Sequence, residues 1–360
     1  MEIRYINPPR LEVENIGDNI LCYRPKRRGE PRINIIELDN KIILNNYGQG
    51  GAGWTIAPGA ANYLVNSFID KYPNVKKNEP IAVIGAGVKG LFTTIELLEN
   101  GFKNIIIYAE EFDNLASHNA GASFAPPSSR SYPTLKDKIA GISIYSYNFY
   151  KSIVEKKHTF LKSGARIIPA YYLNKRQSPL ERYVREGIIS PAKEVILDFK
   201  NGKTYKMFAY DDCIFIETAQ IMDQLNSFLK KKEIIFNRIK INSFNKVKEK
   251  IIVNAAGIGA KELLDDKKML PVQGHLVMLK NQNPENLNYT IFVDIDEKVD
   301  SNGNKYAHYF YIFPKSHLNA KKEDIGVLGG TFIENADSTT PNFNEFQNVI
   351  ENAKIFFGLL

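Results

Sequence analysis

The residues best suited to chemistry in this 360-residue chain lie in two glycine-rich stretches. Gly85-Ala86-Gly87-Val88-Lys89-Gly90 has G-x-G-x-x-G spacing, which allows a tight turn, close backbone approach to a diphosphate, and close packing of the helix that follows. The free N–H groups at the start of that helix would hold the phosphates. Glu110 follows Gly90 at the distance where such a site places an acid that accepts hydrogen bonds from a ribose. The second stretch, Asn46-Tyr47-Gly48-Gln49-Gly50-Gly51-Ala52-Gly53-Trp54-Thr55, precedes the first and would aim another positive helix end at an anion.

Regular elements must position both loops. Residues 81–84 are an apolar run that predicts a buried parallel strand, and residues 88–99 predict a helix with Leu91, Ile95 and Leu98 on one face and Gly101 as its stop. Residues 105–108 predict the next strand, whose end delivers Glu110. Strand, loop, helix, strand and acid in succession specify a dinucleotide site where the bare motif would not. Residues 41–46 predict a strand and residues 55–71 a helix that tolerates Pro58 in its first turn. Farther on, residues 194–199 and 203–208 predict short strands around the turn Asn201-Gly202.

Composition excludes several classes. A 44% hydrophobic content argues against disorder, and the length suits two domains. The start, Met1-Glu2-Ile3-Arg4, lacks the apolar stretch of a signal peptide, no run is long enough to span a membrane, and a cytoplasmic location is expected. Cys22 and Cys213 form no C-x-x-C pair, so neither a disulfide framework nor a thiolate metal site is indicated. His118, His158, His275, His308 and His317 show no metal-ligand spacing, no G-x-S-x-G elbow occurs, and no metal is expected. The net charge of +7 is spread over short groups such as Arg24-Pro25-Lys26-Arg27-Arg28 and Lys230-Lys231-Lys232, which read as solvated faces rather than a nucleic-acid surface.

Five stretches together carry a resemblance to a family. They are residues 81–90 with Tyr108-Ala109-Glu110-Glu111-Phe112, then Val253-Asn254-Ala255-Ala256-Gly257, then Tyr311-Ile312-Phe313-Pro314 with Leu328-Gly329-Gly330-Thr331-Phe332, then Tyr23-Arg24-Pro25, and residues 46–55. The chain resembles the D-amino acid oxidase family of FAD-dependent oxidoreductases, but in circularly permuted order. The Arg-Pro stretch and the N-Y-G-x-G-G-x-G-x-T loop close the family's sequence and open this one. Family order returns on joining Leu360 to Met1 and cutting within residues 70–80, a rearrangement of low closure entropy if the ends are spatial neighbours.

The resemblance implies site residues. Gly85, Ala86, Gly87 and Gly90 would hold the FAD pyrophosphate and Glu110, followed by Glu111, the adenosine ribose. Ser117 and Ser123 fall in the stretch that wraps the cofactor. Ile241, in a strand expected over residues 240–244, matches the position that meets adenine, and Ala256 and Gly257 approach the cofactor from the same side. Gly50, Gly51, Ala52, Gly53, Trp54 and Thr55 would lie along the isoalloxazine edge. Arg24 matches the arginine that pairs a substrate carboxylate, and Tyr311 a tyrosine whose hydroxyl touches the same group. One departure is visible: Ala307 stands where the family's oxidase has a second tyrosine, and Tyr306 or Tyr309 could substitute only if the loop shifts.

The implied fold is α/β, a Rossmann-like doubly wound FAD-binding domain (residues 24–125 and 209–274) with a mostly antiparallel substrate domain (residues 1–23, 126–208 and 275–360). The implied reaction is hydride transfer to flavin from the α-carbon of an amino acid or related amine, with oxygen or another acceptor completing the cycle. A homodimer is compatible with this reading. Two alternatives stay open: a non-catalytic FAD-binding protein of the same fold, and an NAD(P)-dependent dehydrogenase using the same fingerprint.

Overall fold

The computed structural model describes residues 1–125, 135–174, 180–316 and 321–360; His317 lies outside them. Strands and helices are numbered along the chain. One sheet is built from aliphatic runs, with order β11 (Ile235–Arg238), β6 (Ile105–Ala109), β5 (Ile81–Ile84), β12 (Ile251–Asn254), β4 (Lys41–Tyr47) and β3 (Arg32–Leu38). All pairs are parallel except β3 with β4. Every residue of β5 and β12 is buried, as expected of a sheet covered on both faces.

Register in this sheet decides where the loops emerge. Ile84 of β5 pairs with Asn254 of β12, and Asn254 with Asn45 of β4, so the chain leaves all three strands at the same carboxyl edge. The loops that follow β5 at Gly85, β12 at Ala255 and β4 at Gly48 therefore stand side by side, although the third precedes the others in sequence. Two helices follow, α1 (Ala57–Lys71) after the 46–55 loop and α2 (Val88–Glu99) after the 85–90 loop. Helix α2 agrees with its sequence expectation; α1 starts later than residue 55 because residues 50–56 are taken up by a 3-10 turn and tight turns.

The second sheet runs β1 (Glu2–Tyr5), β9 (Lys193–Asp198), β10 (Thr204–Ile216), β8 (Ala165–Tyr172), β14 (Thr290–Val299), β15 (Lys305–Ser316), β16 (Ile325–Glu334), β13 (Met269–Leu279) and β2 (Ile16–Arg27), with β7 (Ala122–Ser123) paired to β10. It is antiparallel except for β1 with β9 and β8 with β14. Its strands run through three of the expected domain cuts. Arg24 lies within β2, residue 209 within β10 and residue 274 within β13. The long ladders explain this, since β2 pairs with β13 from Arg27↔Met269 to Ile16↔Leu279 and divides at neither residue 24 nor 274.

Residues 240–244 form no strand. Strand β11 stops at Arg238 because its partner β6 stops at Ala109; Ile239 donates a last hydrogen bond to the Ala109 carbonyl, and a 3-10 turn follows at Phe244–Lys246.

Head and tail of the chain meet at one turn. The Ile6 amide donates to the Asp198 carbonyl at 3.0 Å at the end of β9, while Asn201 Nδ2, in the β9–β10 turn, donates to the Phe357 carbonyl at 2.8 Å at the end of α8 (Glu345–Phe357). Phe356 and Phe357 pack against Phe199 of the same turn. The stretch from Asp198 to Asn201 thus touches both Ile6 and Phe357. No helix among the described residues is long and apolar enough to cross a membrane.

Candidate cofactor and substrate site

The 85–90 loop is shaped by close approach. Gly85 has φ +109°, and a Cβ there would stand 2.3 Å from the Ala255 carbonyl oxygen of the neighbouring loop. A Cβ on Gly90 would stand 1.9 Å from the Gly85 oxygen, so α2 packs directly on its own loop. These are the contacts the diphosphate-binding turn requires. Ser117, in the short helix α3 (Ala116–Asn119), accepts a hydrogen bond from the Val88 amide at 3.0 Å, and its carbonyl accepts from Trp54 Nε1 at 2.9 Å. One serine therefore links the two glycine-rich loops. Trp54 is 4% exposed, and its carbonyl accepts from the Tyr150 hydroxyl.

Glu110 and Glu111 are exposed just past β6, where an adenosine ribose would be met. Glu111 is held by Arg238 at 2.5 Å, whereas Lys240 stands 3.7 Å from Glu110. Ile241 lies nearby, half-buried on the cluster that contains Ile84, Ile252 and Ala256.

A cavity of about 370 Å³ opens between the loops and the antiparallel sheet. Gly51, Trp54 and Thr55 of the second loop line it, with Ser123, Tyr172, Phe292, Asp294 and Phe313 from the sheet side. The loop is tied to β2, because the Arg27 amide donates to the Gly48 carbonyl and Lys26 bridges to Gln49. Ala255, which meets Gly85, leads to Gly257, where a Cβ would stand 3.7 Å from Pro25 of β2.

Arg24 and Tyr311 are brought together, with Arg24 Nη2 donating to the Tyr311 hydroxyl at 3.4 Å and Nη1 to the Thr331 carbonyl at 3.0 Å. The guanidinium lies against the Gly274 backbone, and the Tyr311 ring against Gly329 and Gly330. Neither side chain lines the cavity. They border it through aromatic rings: Tyr311 stacks on Phe313 at 4.7 Å and on Phe292 at 6.0 Å, and both of these face the cavity. Among the described residues no carboxylate forms an ion pair with Arg24. Burial opposes its charge but is outweighed by Cys22 and Tyr311, so the guanidinium's pKa is raised. Burial pushes the Tyr311 hydroxyl up, with Arg24 acting the other way.

Ala307 is buried, paired across the sheet with Phe332, and supplies no hydroxyl. Tyr306 is committed elsewhere, its hydroxyl bonded to Glu345 of α8, while Tyr309 rests 5.4 Å from Phe292. The aromatic wall of Tyr172, Phe292 and Phe313 and the carboxylate of Asp294 were not singled out as site residues from the sequence. Only Phe313 had a legible signal, two residues from Tyr311 and so on the same face of a strand.

The residues present fit FAD. The Gly85–Gly90 cradle is formed, Glu110 and Glu111 stand exposed just past β6 where a ribose would be met, and the second loop borders a cavity beside the antiparallel sheet. When bound, FAD supplies a ring that accepts two electrons as a hydride. A family model described as DAO, FAD dependent oxidoreductase, matches residues 80–358 and leaves residues 1–79 outside. Among curated proteins, the D-amino acid oxidase of Dugesia ryukyuensis is 25% identical over 286 residues, 76% of each chain. The D-amino-acid oxidase of Dictyostelium discoideum is 24% identical over 282 residues, covering 75% of this chain and 71% of that one. The glycine oxidase of Geobacillus kaustophilus shares the fold, with TM-score 0.51 and 15% identity over 77% of each chain. The match spans the diphosphate loop, the β12 loop, β15 and β16, and the chain belongs to the DAO family of FAD dependent oxidoreductases.

Proposed function

We propose that the chain oxidises the carbon–nitrogen bond of an amino acid or related amine, and that residues 1–79 supply the part with which its relatives' sequences end. The observation that carries the substrate reading is Arg24. A partly buried guanidinium with no carboxylate partner among the described residues, hydrogen-bonded to a buried tyrosine that stacks on the cavity's aromatic wall beside a flavin-type loop, is matched by a carboxylate from outside. Arg24 would donate to that carboxylate through the N–H groups not spent on Thr331, and Tyr311 through its own hydrogen, since it accepts from Arg24. The two donors would fix the α-carbon in orientation, and the rings of Tyr172, Phe292 and Phe313 would exclude water. Orientation and exclusion of water suffice for hydride transfer from a neutral amine, with little acid or base assistance.

The permuted reading is supported by three features. Residues 1–79 lie outside the family match, β4 takes a place in the parallel sheet beside β12, and residues 6 and 357 meet at the same turn. The test of function is anaerobic mixing of the FAD-loaded protein with amino acids of either hand, each paired with the amine that lacks the carboxylate. Loss of the oxidised flavin band with at least one amino acid, and weaker loss with its amine, is expected; a band untouched by every amino acid refutes the reading. Oxygen uptake when the same mixtures are repeated in air decides between oxygen and another electron acceptor.

A further inference from the structure

Lys89 occupies one of the three variable positions of the diphosphate loop, where side chains have no need to touch the cofactor because the backbone holds it. It is only 8% exposed, and its Nζ is fully shielded from solvent with no hydrogen-bond partner among the described residues. A shielded amine without a partner is strongly disfavoured in its charged form, so such groups are paired or neutral. Burial alone accounts for a pKa well below 10.5.

Its surroundings point to where a partner would enter. Lys89, Thr93 and Glu96 follow one another on a single face of α2. Thr93 accepts from Asn46 Nδ2 at 3.2 Å and Glu96 from Asn62 Nδ2 at 2.9 Å, so this face is turned to the 46–55 loop and α1. Helical side chains leave the backbone tilted toward the helix N-terminus, which here is the end on which the diphosphate would rest. The Lys89 stem thus starts in the first turn, on the side where the two glycine-rich loops converge.

Titratable groups on the elements packed around α2 do not supply the missing charge. Glu96 and Glu99 lie farther along α2 itself. Tyr47 donates to Asp266, Tyr150 donates to the Trp54 carbonyl, Tyr145 lies on α4 (Lys136–Val154), His118 accepts from the Leu115 amide, and Asp223 on α6 (Thr218–Lys231) is exposed. None of them perturbs Lys89.

We propose that Lys89 contacts the cofactor in this chain: its side-chain amine takes up a proton from solvent when FAD binds, and the resulting ammonium pairs with the FAD diphosphate. The inference rests on the FAD assignment and is independent of the amine substrate. It has a sign. The FAD-free protein holds a depressed lysine pKa and the loaded protein a higher one, so binding absorbs protons, and affinity falls as pH rises through the loaded-state pKa.

The test is calorimetric titration of the flavin-stripped protein with FAD at mildly alkaline pH, in two buffers of different ionisation enthalpy. Wild type is expected to take up a net proton on binding. Lys89→Met is expected to lose that uptake and to bind FAD roughly ten- to a hundredfold more weakly, the scale of one charge-assisted hydrogen bond. Lys89→Arg, which keeps the charge, is expected to restore most of the affinity, which separates a lost charge from a damaged fold. ADP, which carries the diphosphate without the flavin, is expected to lose affinity for Lys89→Met in the same proportion. Proton uptake and affinity equal in wild type and Lys89→Met would overturn the proposal, and so would a loss confined to FAD with ADP unaffected, since that places the amine at the flavin half.

Discussion

Replacing Arg24 separates recognition of a carboxylate from every other duty of the site. In the free protein Arg24 donates to the Thr331 carbonyl at 3.0 Å and to the Tyr311 hydroxyl at 3.4 Å. Arg24→Ala removes both bonds and leaves a carbonyl in a partly buried place without its donor, a loss of about 1–3 kcal/mol of stability. The diphosphate loop is untouched, so flavin content should stay at the wild-type level. For an amino-acid substrate the variant loses a charge-assisted bond worth about 1.5–3 kcal/mol, which corresponds to a fall in kcat/KM of roughly 10- to 150-fold. Arg24→Lys should recover only part of this, because an ammonium lacks the two-pronged geometry that matches a carboxylate. Stopped-flow measurement of anaerobic flavin reduction gives the rates, and the paired amine without a carboxylate is the control. The amine's rate should change little between wild type and Arg24→Ala. Equal losses for acid and amine would show that Arg24 shapes the pocket rather than grips a carboxylate; no loss for either would remove it from the site.

Other expectations concern single features. Gly90→Ala places a Cβ 1.9 Å from the Gly85 oxygen, so the purified variant should retain little FAD; retention of the yellow colour at wild-type stoichiometry would contradict the loop geometry. Tyr311→Phe should keep FAD and the fold but lower kcat/KM for amino acids by about tenfold, since one neutral donor is lost, and unchanged kinetics would exclude its hydroxyl from substrate binding. A re-ordered gene joining Leu360 to Met1 through a short glycine linker, with new ends at the exposed Pro73-Asn74 pair, should fold, bind FAD and melt within a few degrees of wild type, because closing a short gap costs little entropy; failure to fold would refute the permuted reading. Burial lowers the His158 pKa from the ordinary 6.5 to about 4, where its Nδ1 accepts from the Leu161 amide. The neutral ring therefore contributes stability that is complete above pH 6.5 and is lost as the pH falls toward 4. His158→Gln should flatten that part of the acid stability profile, and an NMR titration of His158 near 6.5 would contradict it.

The sequence by itself determined the local devices. Aliphatic runs at residues 81–84 and 251–254, the glycine spacing of residues 85–90 and the turn at Asn201-Gly202 each act over a few residues, and each stands where its pattern put it. The strand before the 46–55 loop was legible for the same reason, though not its parallel pairing with β12. What required the tertiary structure was everything decided by partners distant in sequence. Strand β11 ends at Arg238 rather than running to residue 244 because β6 gives it nothing further to pair with. Arg24 belongs to the antiparallel sheet because β13 pairs along the whole of β2. The cavity wall of Tyr172, Phe292 and Phe313 comes from three strands that a linear pattern does not bring together. Above all, the shielding of the Lys89 amine exists only in the folded chain, because desolvation is a property of the packed whole and leaves no mark on the string of residues.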